Sequence, residues 1–163
     1  MALAGVAIVS SAAYPQAATK SEPATLTVTG DVPTRLTLTA DDLAKMPRQT
    51  MAAKSEDGTT IQYEGVLLRD ILKRAGVLQE KHLTGKTLAS YILVKARDGY
   101  DVVLTLAELE PDFGNEIALV ADKRDGKPLF EYQGPFRLVF PNDKAGARSV
   151  RMLESLELVQ LKK

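Results

Sequence analysis

Residues 129–158 read LFEYQGPFRLVFPNDKAGARSVRMLESLEL, a stretch that combines a turn signal, an apolar run and a polar loop. Its Gly134-Pro135 pair is a turn signal. The run that follows, residues 136–140 (FRLVF), is apolar and rich in strand-forming residues, which predicts a largely buried strand. Pro141 ends that strand because proline cannot donate to a sheet ladder. The stretch therefore predicts a turn, a buried strand and an exposed loop in succession.

The polar loop over residues 142–147 leads to Arg148, Ser149 and Arg151. Small residues expose backbone N–H groups, and a guanidinium makes bidentate hydrogen bonds to phosphate, carboxylate or a heterocycle edge. The loop and its two arginines therefore suit a planar or anionic ligand. The alternative is a hairpin loop with solvated arginines, which are common at strand ends. On spacing alone the hairpin loop is the favoured interpretation.

Length and charge bound the class of protein. A chain of 163 residues suits one domain with a hydrophobic core. Lys plus Arg number 21 and Asp plus Glu also number 21, so no basic surplus indicates a nucleic-acid partner. The expected partner is a small molecule or another protein.

The absence of cysteine excludes several chemistries. Without it the chain has no disulfide, no thiolate nucleophile and no thiolate metal ligand. Its one histidine, His82, has no nucleophile-elbow motif to accompany it, and one histidine cannot build a His/Cys zinc site. We expect His82 to be an exposed surface residue.

The N-terminus predicts export. Residues 1–9 (MALAGVAIV) are apolar and too short to span a bilayer, and the small residues 10–13 fit a signal-peptide cleavage site. The basic start of a signal peptide is missing, since the first positive side chain is Lys20. The alternative is an apolar terminus without this role. We expect residues 1–24 to be a truncated signal peptide and leader, residues 25–163 to be a single domain, and the protein to be periplasmic or otherwise exported.

The remaining pattern predicts an α+β domain with mixed, mostly antiparallel sheets and few short helices. Thr39 caps the first helix, and Asp41 and Asp42 are read as its acidic first turn rather than as a metal pair. Gly65 is predicted to open the second helix, and Gly76 to stop it. The predicted strands are 25–30, 35–38, 48–54, 59–64, 87–95, 100–104, 116–122 and 136–140, and the predicted helices are 40–45, 66–75 and 106–109.

Six short motifs occur in a fixed order along the chain. They are Tyr63-Glu64-Gly65-Val66-x-Leu68, Asp98-Gly99-Tyr100, Glu116-Ile117-Ala118-Leu119-Val120-Ala121, Asp125-Gly126-Lys127-Pro128-Leu129, Gly134-Pro135-x-Arg137-Leu138-Val139-x-Pro141 and Gly146-Ala147-Arg148-x-Val150-Arg151. Over roughly residues 25–160 this order resembles the molybdopterin-binding domain of the sulfite oxidase family. The resemblance implies the fold of that domain.

The chain departs from the family at positions that bear on function. Catalytic members bind molybdenum through a cysteine thiolate, and this chain has no cysteine. Tyr63 stands where the family typically has tryptophan. The family's Gly-x-Arg-x-Val-Lys-Trp phosphate-binding turn is matched from Gly146 onward, with Arg151 in place of the lysine and Met152 in place of the tryptophan. The resemblance therefore implies a pocket that persists without the redox metal.

The hypothesis that follows is a non-catalytic, exported pterin-binding protein that acts as the ligand-dependent partner of a membrane signalling protein. No metal is expected. The alternatives are a molybdopterin-dependent oxidoreductase and a protein-interaction module without a pocket. A pterin edge offers N–H donors that suit a carboxylate, its carbonyl and ring nitrogens accept from arginine, and its ring stacks on an aromatic side chain.

The candidate binding residues are those near the family motifs that have these chemistries. The carboxylates are Asp98, Asp143 and Glu131, the aromatics are Tyr63, Tyr100, Tyr132 and Phe136, and the remaining groups are Arg148, Ser149 and Arg151. Core packing is the favoured interpretation for Phe136, and a turn role for Asp98. Arg148 is the favoured single residue for ligand binding.

Overall fold

The structure is a computed structural model that describes residues 23–78, 83, 85–130 and 132–161. Residues 1–22 of the predicted leader, His82 and Glu131 lie outside this range, so what the sequence predicts for them stays a prediction. None of the described helices is both long and apolar enough to cross a membrane.

The described chain has ten strands and three short helices, and each helix follows a pair of strands, in the predicted α+β class. The strands are β1 (Leu26–Gly30), β2 (Leu36–Leu38), β3 (Arg48–Lys54), β4 (Thr60–Leu67), β5 (Ser90–Ala96), β6 (Asp101–Thr105), β7 (Leu119–Arg124), β8 (Lys127–Pro128), β9 (Arg137–Val139) and β10 (Leu153–Gln160). The helices are α1 (Ala40–Ala44), α2 (Leu68–Arg74) and α3 (Leu106–Leu109), and a 3₁₀ turn covers Gly146–Arg148.

The strands form two five-stranded sheets. The first has the order β2-β1-β10-β5-β6, and the pairing of β1 with β10 is parallel, with Thr27 opposite Ser155. The second has the order β3-β4-β7-β8, and β9 also pairs with β7. The other pairings within both sheets are antiparallel. The predicted mixed, mostly antiparallel arrangement is confirmed.

The main hydrophobic core lies between the two sheets. It contains Val28, Ile92 and Leu156 from the first sheet and Val66 and Val120 from the second, all at most 1% exposed. A smaller cluster packs where β3, β4, β7 and β9 meet. Its members are Ala53, Ile61, Tyr63, Leu119, Ala121 and Val139. This second cluster supports the strand ends that carry the candidate site.

Two helix starts are fixed by capping boxes, and the cap at Thr39 is as predicted. At α1 the Thr39 hydroxyl accepts from the Asp42 N–H (3.2 Å) and the Asp42 carboxylate accepts from the Thr39 N–H (3.0 Å). This reciprocal capping box lowers the pKa of Asp42, chiefly through the backbone hydrogen bond from Thr39. Thr105 and Glu108 form the same box at α3. Capping therefore accounts for Asp42 without a metal ion.

The predicted role of Gly65 is wrong. β4 continues to Leu67, and α2 begins at Leu68 rather than at residue 66. Gly65 is a strand residue at a register shift against β7, where a Cβ atom would lie 2.0 Å from the carbonyl oxygen of Val120. Only glycine permits this approach of two backbones. Gly76 does stop the helix, with φ at 79° and the Val77 N–H donating to Leu72 O (2.9 Å).

The strand predicted over residues 116–122 begins only at Leu119. The chain before it folds back onto α3, where the Glu116 N–H donates to Glu108 O (2.7 Å) and the Asn115 N–H donates to Glu110 O (2.9 Å). These hydrogen bonds replace sheet pairing for this segment and fix the position of Glu116.

Candidate functional site

A cleft of about 1070 Å³ opens at the edge of the second sheet. The β3–β4 hairpin forms one wall, and the loop after β9 forms the other. This volume lies just above the range of roughly 300–1,000 Å³ that is typical of small-molecule sites. The lining residues are 52–56, 60, 61, 63, 124, 133, 137, 139–146, 149 and 151.

The cleft is positively charged. Among the described residues that line it, the cations are Lys54, Arg124, Arg137, Lys144 and Arg151, and the acids are Glu56 and Asp143. The Asp143 carboxylate is already paired within the protein, so it neutralises none of these cations. A concave surface on which one sign of charge predominates focuses the field and favours a ligand of opposite charge. The cleft therefore suits an anion.

Arg137 is a cleft cation with a buried donor that lacks a hydrogen-bond partner in the described part of the chain. Its guanidinium lies over the Tyr63 ring, 5.3 Å from the centroid, and its Nη1 donates to Gln133 Oε1 (3.2 Å). Its Nε is buried and has no hydrogen-bond partner among the described residues. Burial lowers the pKa of Arg137, and the nearby Arg151 and Arg124 lower it further. A buried, charged donor without an acceptor is costly, and an anionic ligand supplies the acceptor.

Arg148 has a different setting from the one that the sequence predicts. Its Nε and Nη2 donate to the two oxygens of Asp143 (2.9 and 2.6 Å), and its Nη1 donates to Glu108 Oε2 (2.9 Å). Glu116 Oε2 lies 3.5 Å from Nη2, and the Phe140 ring lies 4.4 Å below the guanidinium. We name this group of three carboxylates around one guanidinium the Arg148 clasp. The hydrogen bond to Asp143 is the main reason that the pKa of Arg148 is raised.

The clasp holds one wall of the cleft. Arg148 does not line the cleft, but its partner Asp143 does. The clasp thus ties the loop after β9 to α3 through Glu108. The structure assigns Arg148 to the support of the cleft wall, and its predicted direct contact with a ligand stays a prediction.

Replacing Arg148 with alanine should loosen this wall. The three carboxylates would remain close together without a cation, so we expect a loss of about 1–2 kcal/mol in the free energy of unfolding, discounted because the clasp is partly exposed. Urea unfolding measures it. Arg151→Ala is the matched control, since Arg151 is exposed, and it should change stability by less than about 0.5 kcal/mol. An Arg148→Ala protein as stable as the wild type would contradict the clasp.

Three other predicted residues line the cleft with Asp143. Ser149 accepts from the Phe140 N–H through its hydroxyl (3.1 Å), which leaves the hydroxyl proton available to a ligand. Arg151 is exposed on the same side. Tyr63 is only 3% exposed, and Arg137 lies over its ring. The structure therefore brings Asp143, Tyr63, Ser149 and Arg151 together.

Besides Arg148, four described candidate residues do not line the cleft. Asp98 accepts from the Tyr100 N–H (3.1 Å), so it has the turn role that the sequence favours for it. The Tyr100 hydroxyl donates to Ala147 O (2.7 Å), at the loop that carries Arg148. Tyr132 is 59% exposed and stacks on Phe130 at 6.1 Å between centroids. Phe136 is fully buried, which confirms core packing for this ring.

Sequence reasoning missed Arg137, Arg124, Gln133 and Lys54 as lining residues. Arg137 had a visible signal, because it is a charged residue inside the apolar run FRLVF. A charge in such a run has to face a partner, solvent or a ligand. The other three lie in turns or at strand ends that the pattern does not distinguish from ordinary surface.

The donor set of the cleft suits an organic anion better than a bare metal ion. Within the described part of the chain, no three His, Cys, Asp or Glu side chains are grouped so that they could hold a metal. The lining groups are mostly guanidinium, ammonium, amide and hydroxyl groups. These groups donate hydrogen bonds to phosphate, carbonyl and ring nitrogen acceptors.

Comparisons with known proteins agree with the fold. A family model described as "Oxidoreductase molybdopterin binding domain" matches residues 12–163. The fold is similar to that of the sulfane dehydrogenase SoxCD from Paracoccus pantotrophus, with a TM-score of 0.63 and 18% sequence identity. The match covers 86% of this chain and 39% of that chain, so the protein spans well under half of that relative. No curated protein matches the sequence.

Proposed function

The chain belongs to the oxidoreductase molybdopterin-binding domain family, and from that premise we propose that its cleft binds a pterin or molybdopterin-like ligand without catalysing a redox reaction. One observation carries the proposal most strongly. The buried Arg137 Nε has no partner among the described residues and lies in a cleft with four further cations. A ligand with an anionic group resolves this unsatisfied charge.

The charges of the cleft match the two ends of such a ligand. A terminal phosphate is favoured by Arg137, Arg124 and Arg151, because guanidinium groups bind phosphate with paired hydrogen bonds. The pterin edge needs both donors and acceptors, and the Gln133 amide supplies both. Glu56 is the cleft carboxylate outside the clasp, and it suits the N–H donors of the pterin.

The aromatic rings that line the cleft are not available for stacking on a ligand ring. The faces of Tyr63 and Phe140 each already carry a guanidinium, at 5.3 and 4.4 Å from the ring centroids. A planar ligand would instead stack on a guanidinium plane, which also accepts flat rings. This replaces the predicted role of Tyr63 as a stacking platform with a supporting role beneath Arg137.

The chain fits the organic part of the cofactor and offers no thiolate to its metal. A bound molybdopterin that carries molybdenum supplies two-electron redox chemistry in catalytic members of the family. This chain has no cysteine with which to ligate that metal. We therefore infer that the cleft recognises a pterin rather than turns over a substrate.

Export and a signalling partner belong to the same proposal. The apolar residues 1–9 and the small residues after them support export to the periplasm or beyond. In that compartment, a non-catalytic domain could bind its ligand and then contact a membrane signalling protein as a ligand-dependent partner. The large cleft argues against the alternative of an interaction module without a pocket.

The pterin and molybdenum contents of the purified protein test the proposal that the cleft is not catalytic. Ligand released by denaturation would be oxidised and measured by pterin fluorescence, beside molybdenum by elemental analysis. We expect pterin in excess of molybdenum after expression in a host that makes pterins and the cofactor. Molybdenum at one atom per chain, with electron transfer from sulfite or another sulfur substrate to an acceptor dye, would contradict the proposal and favour an oxidoreductase.

A further inference from the structure

A second cavity, of about 260 Å³, shares no lining residue with the cleft. It lies between β3, the start of α2, α3 and the segment before β7. Its apolar lining residues are Met51, Leu67, Leu109, Ile117 and Ala118, and its polar ones are Gln49, Arg69, Asn115 and Glu116. The cavity is therefore mostly apolar, with one cation and one anion.

Both charged side chains of this cavity carry a buried atom that makes no hydrogen bond within the described part of the chain, although Glu116 Oε2 lies 3.5 Å from the guanidinium of Arg148. Three buried side-chain polar atoms lack a hydrogen-bond partner in the described part of the chain, namely Arg69 Nε, Glu116 Oε2 and Arg137 Nε. The first two line the small cavity and the third lines the cleft. Buried polar atoms are rarely left unpaired, and each exception needs a reason. A ligand in each cavity supplies that reason.

The Glu116 carboxylate keeps its hydrogen-bonding capacity despite its neighbour Arg148. The distance from Oε2 to Arg148 Nη2 is 3.5 Å, and Arg148 makes its hydrogen bonds to Asp143 and Glu108 instead. A carboxylate accepts about four hydrogen bonds, so a cationic donor in the cavity would find Glu116 able to accept.

The walls of the cavity are held in place by the backbone. Glu116 and Asn115 are fixed by their N–H bonds to the carbonyl oxygens of Glu108 and Glu110 (2.7 and 2.9 Å). On the opposite side, the Leu68 N–H donates to Ala118 O (2.9 Å), next to Arg69. Groups that are fixed before binding lose little entropy when the ligand arrives, which favours binding.

We propose that this cavity binds a small zwitterion, an α-amino acid with an aliphatic side chain. Arg69 binds the carboxylate and Glu116 binds the ammonium group, while the aliphatic part packs on Leu67, Leu109 and Ile117. The volume lies below the range of roughly 300–1,000 Å³ that larger ligands occupy, which suits a ligand of the size of a single amino acid. The proposal is independent of pterin binding.

Three probes of matched shape test the ligand chemistry on the unaltered full-length chain. They are leucine, 4-methylpentanoate, which lacks the ammonium group, and isoamylamine, which lacks the carboxylate. We expect saturable one-to-one binding of leucine by calorimetry and at least about tenfold weaker binding of the other two, since each loses one charge-assisted hydrogen bond. Absence of saturable leucine binding, or equal binding of all three, would overturn the proposal.

Matched variants locate the site. Arg69→Met should weaken leucine binding at least about tenfold, whereas Arg74→Met, on the exposed face of the same helix, should leave it unchanged. Glu116→Gln should weaken it similarly, and Glu108→Gln serves as its control because Glu108 also contacts Arg148 but does not line the cavity. An equal loss in both glutamate variants would mean that the effect passes through Arg148, and the proposal would fall.

Discussion

Replacing Arg137 with methionine is expected to weaken pterin binding by about 30- to 150-fold. Truncating a buried charge that binds an anion costs about 2–3 kcal/mol, which is that fold-change at 1.4 kcal/mol per factor of ten. The affinity of wild type and variant would be compared by titration of a phosphorylated dihydropterin, followed by its fluorescence. Arg74→Met removes one charge from an exposed helix position and is the matched control, with unchanged affinity expected.

The same variant should not harm the fold. Burial lowers the pKa of Arg137, which means that the protein environment disfavours its charged form. A methionine, whose side chain ends about where Nε of Arg137 lies, removes the unsatisfied Nε and keeps an apolar stem, with the loss of one hydrogen bond to Gln133 Oε1. We therefore expect the free energy of unfolding of Arg137→Met to equal or exceed that of the wild type, which is the trade-off expected at a binding site. A variant that binds as well as the wild type would contradict the assigned role.

Replacing Gly65 with alanine is expected to have a large effect on stability. The added Cβ would lie 2.0 Å from Val120 O and 2.6 Å from Ala121 Cα, and both are backbone atoms of the neighbouring strand. No side-chain rotation relieves such contacts, so β7 has to move away from β4. We expect a loss of about 3 kcal/mol or more in the free energy of unfolding, measured by urea denaturation.

Gly146→Ala is the control for the Gly65 substitution. A Cβ at Gly146 meets no atom within 4 Å, and the backbone there needs no positive φ, so the change should be within about 0.5 kcal/mol. Because β7 pairs with β9, which carries Arg137, Gly65→Ala should also disturb the cleft. A Gly65→Ala protein within 1 kcal/mol of the wild type would refute the close approach of β4 and β7.

Features fixed by local sequence were predictable. The capping boxes at Thr39 and Thr105 depend on residues three positions apart, and the helix stop at Gly76 depends on its own φ. Hairpin pairing around Asp57-Gly58 is equally local. Alternation of apolar and polar residues then predicted the class, because few arrangements bury such strands.

Features fixed by long-range contact were not predictable from one sequence. Gly65 stands directly before an amphipathic run, which predicts the start of a helix. Only its pairing with β7 makes it a strand residue. Arginine is a residue type that often binds anionic ligands, but the Arg148 guanidinium instead donates to Glu108, which lies 40 residues earlier in the chain. Arg137 belongs to a sequence motif, but the motif does not indicate its unsatisfied Nε. That feature depends on the packing of Tyr63 and Gln133 around the side chain.

Calorimetric titration of the wild-type protein with a dihydropterin, with and without a terminal phosphate, tests whether the cleft is a pterin site. We predict saturable one-to-one binding of the phosphorylated form, at least about tenfold tighter than that of the unphosphorylated form, because the cationic cleft binds the phosphate. Added salt should weaken that difference, since screening reduces the attraction of exposed charges. Absence of saturable binding by either form would contradict the assignment of the cleft as a pterin site.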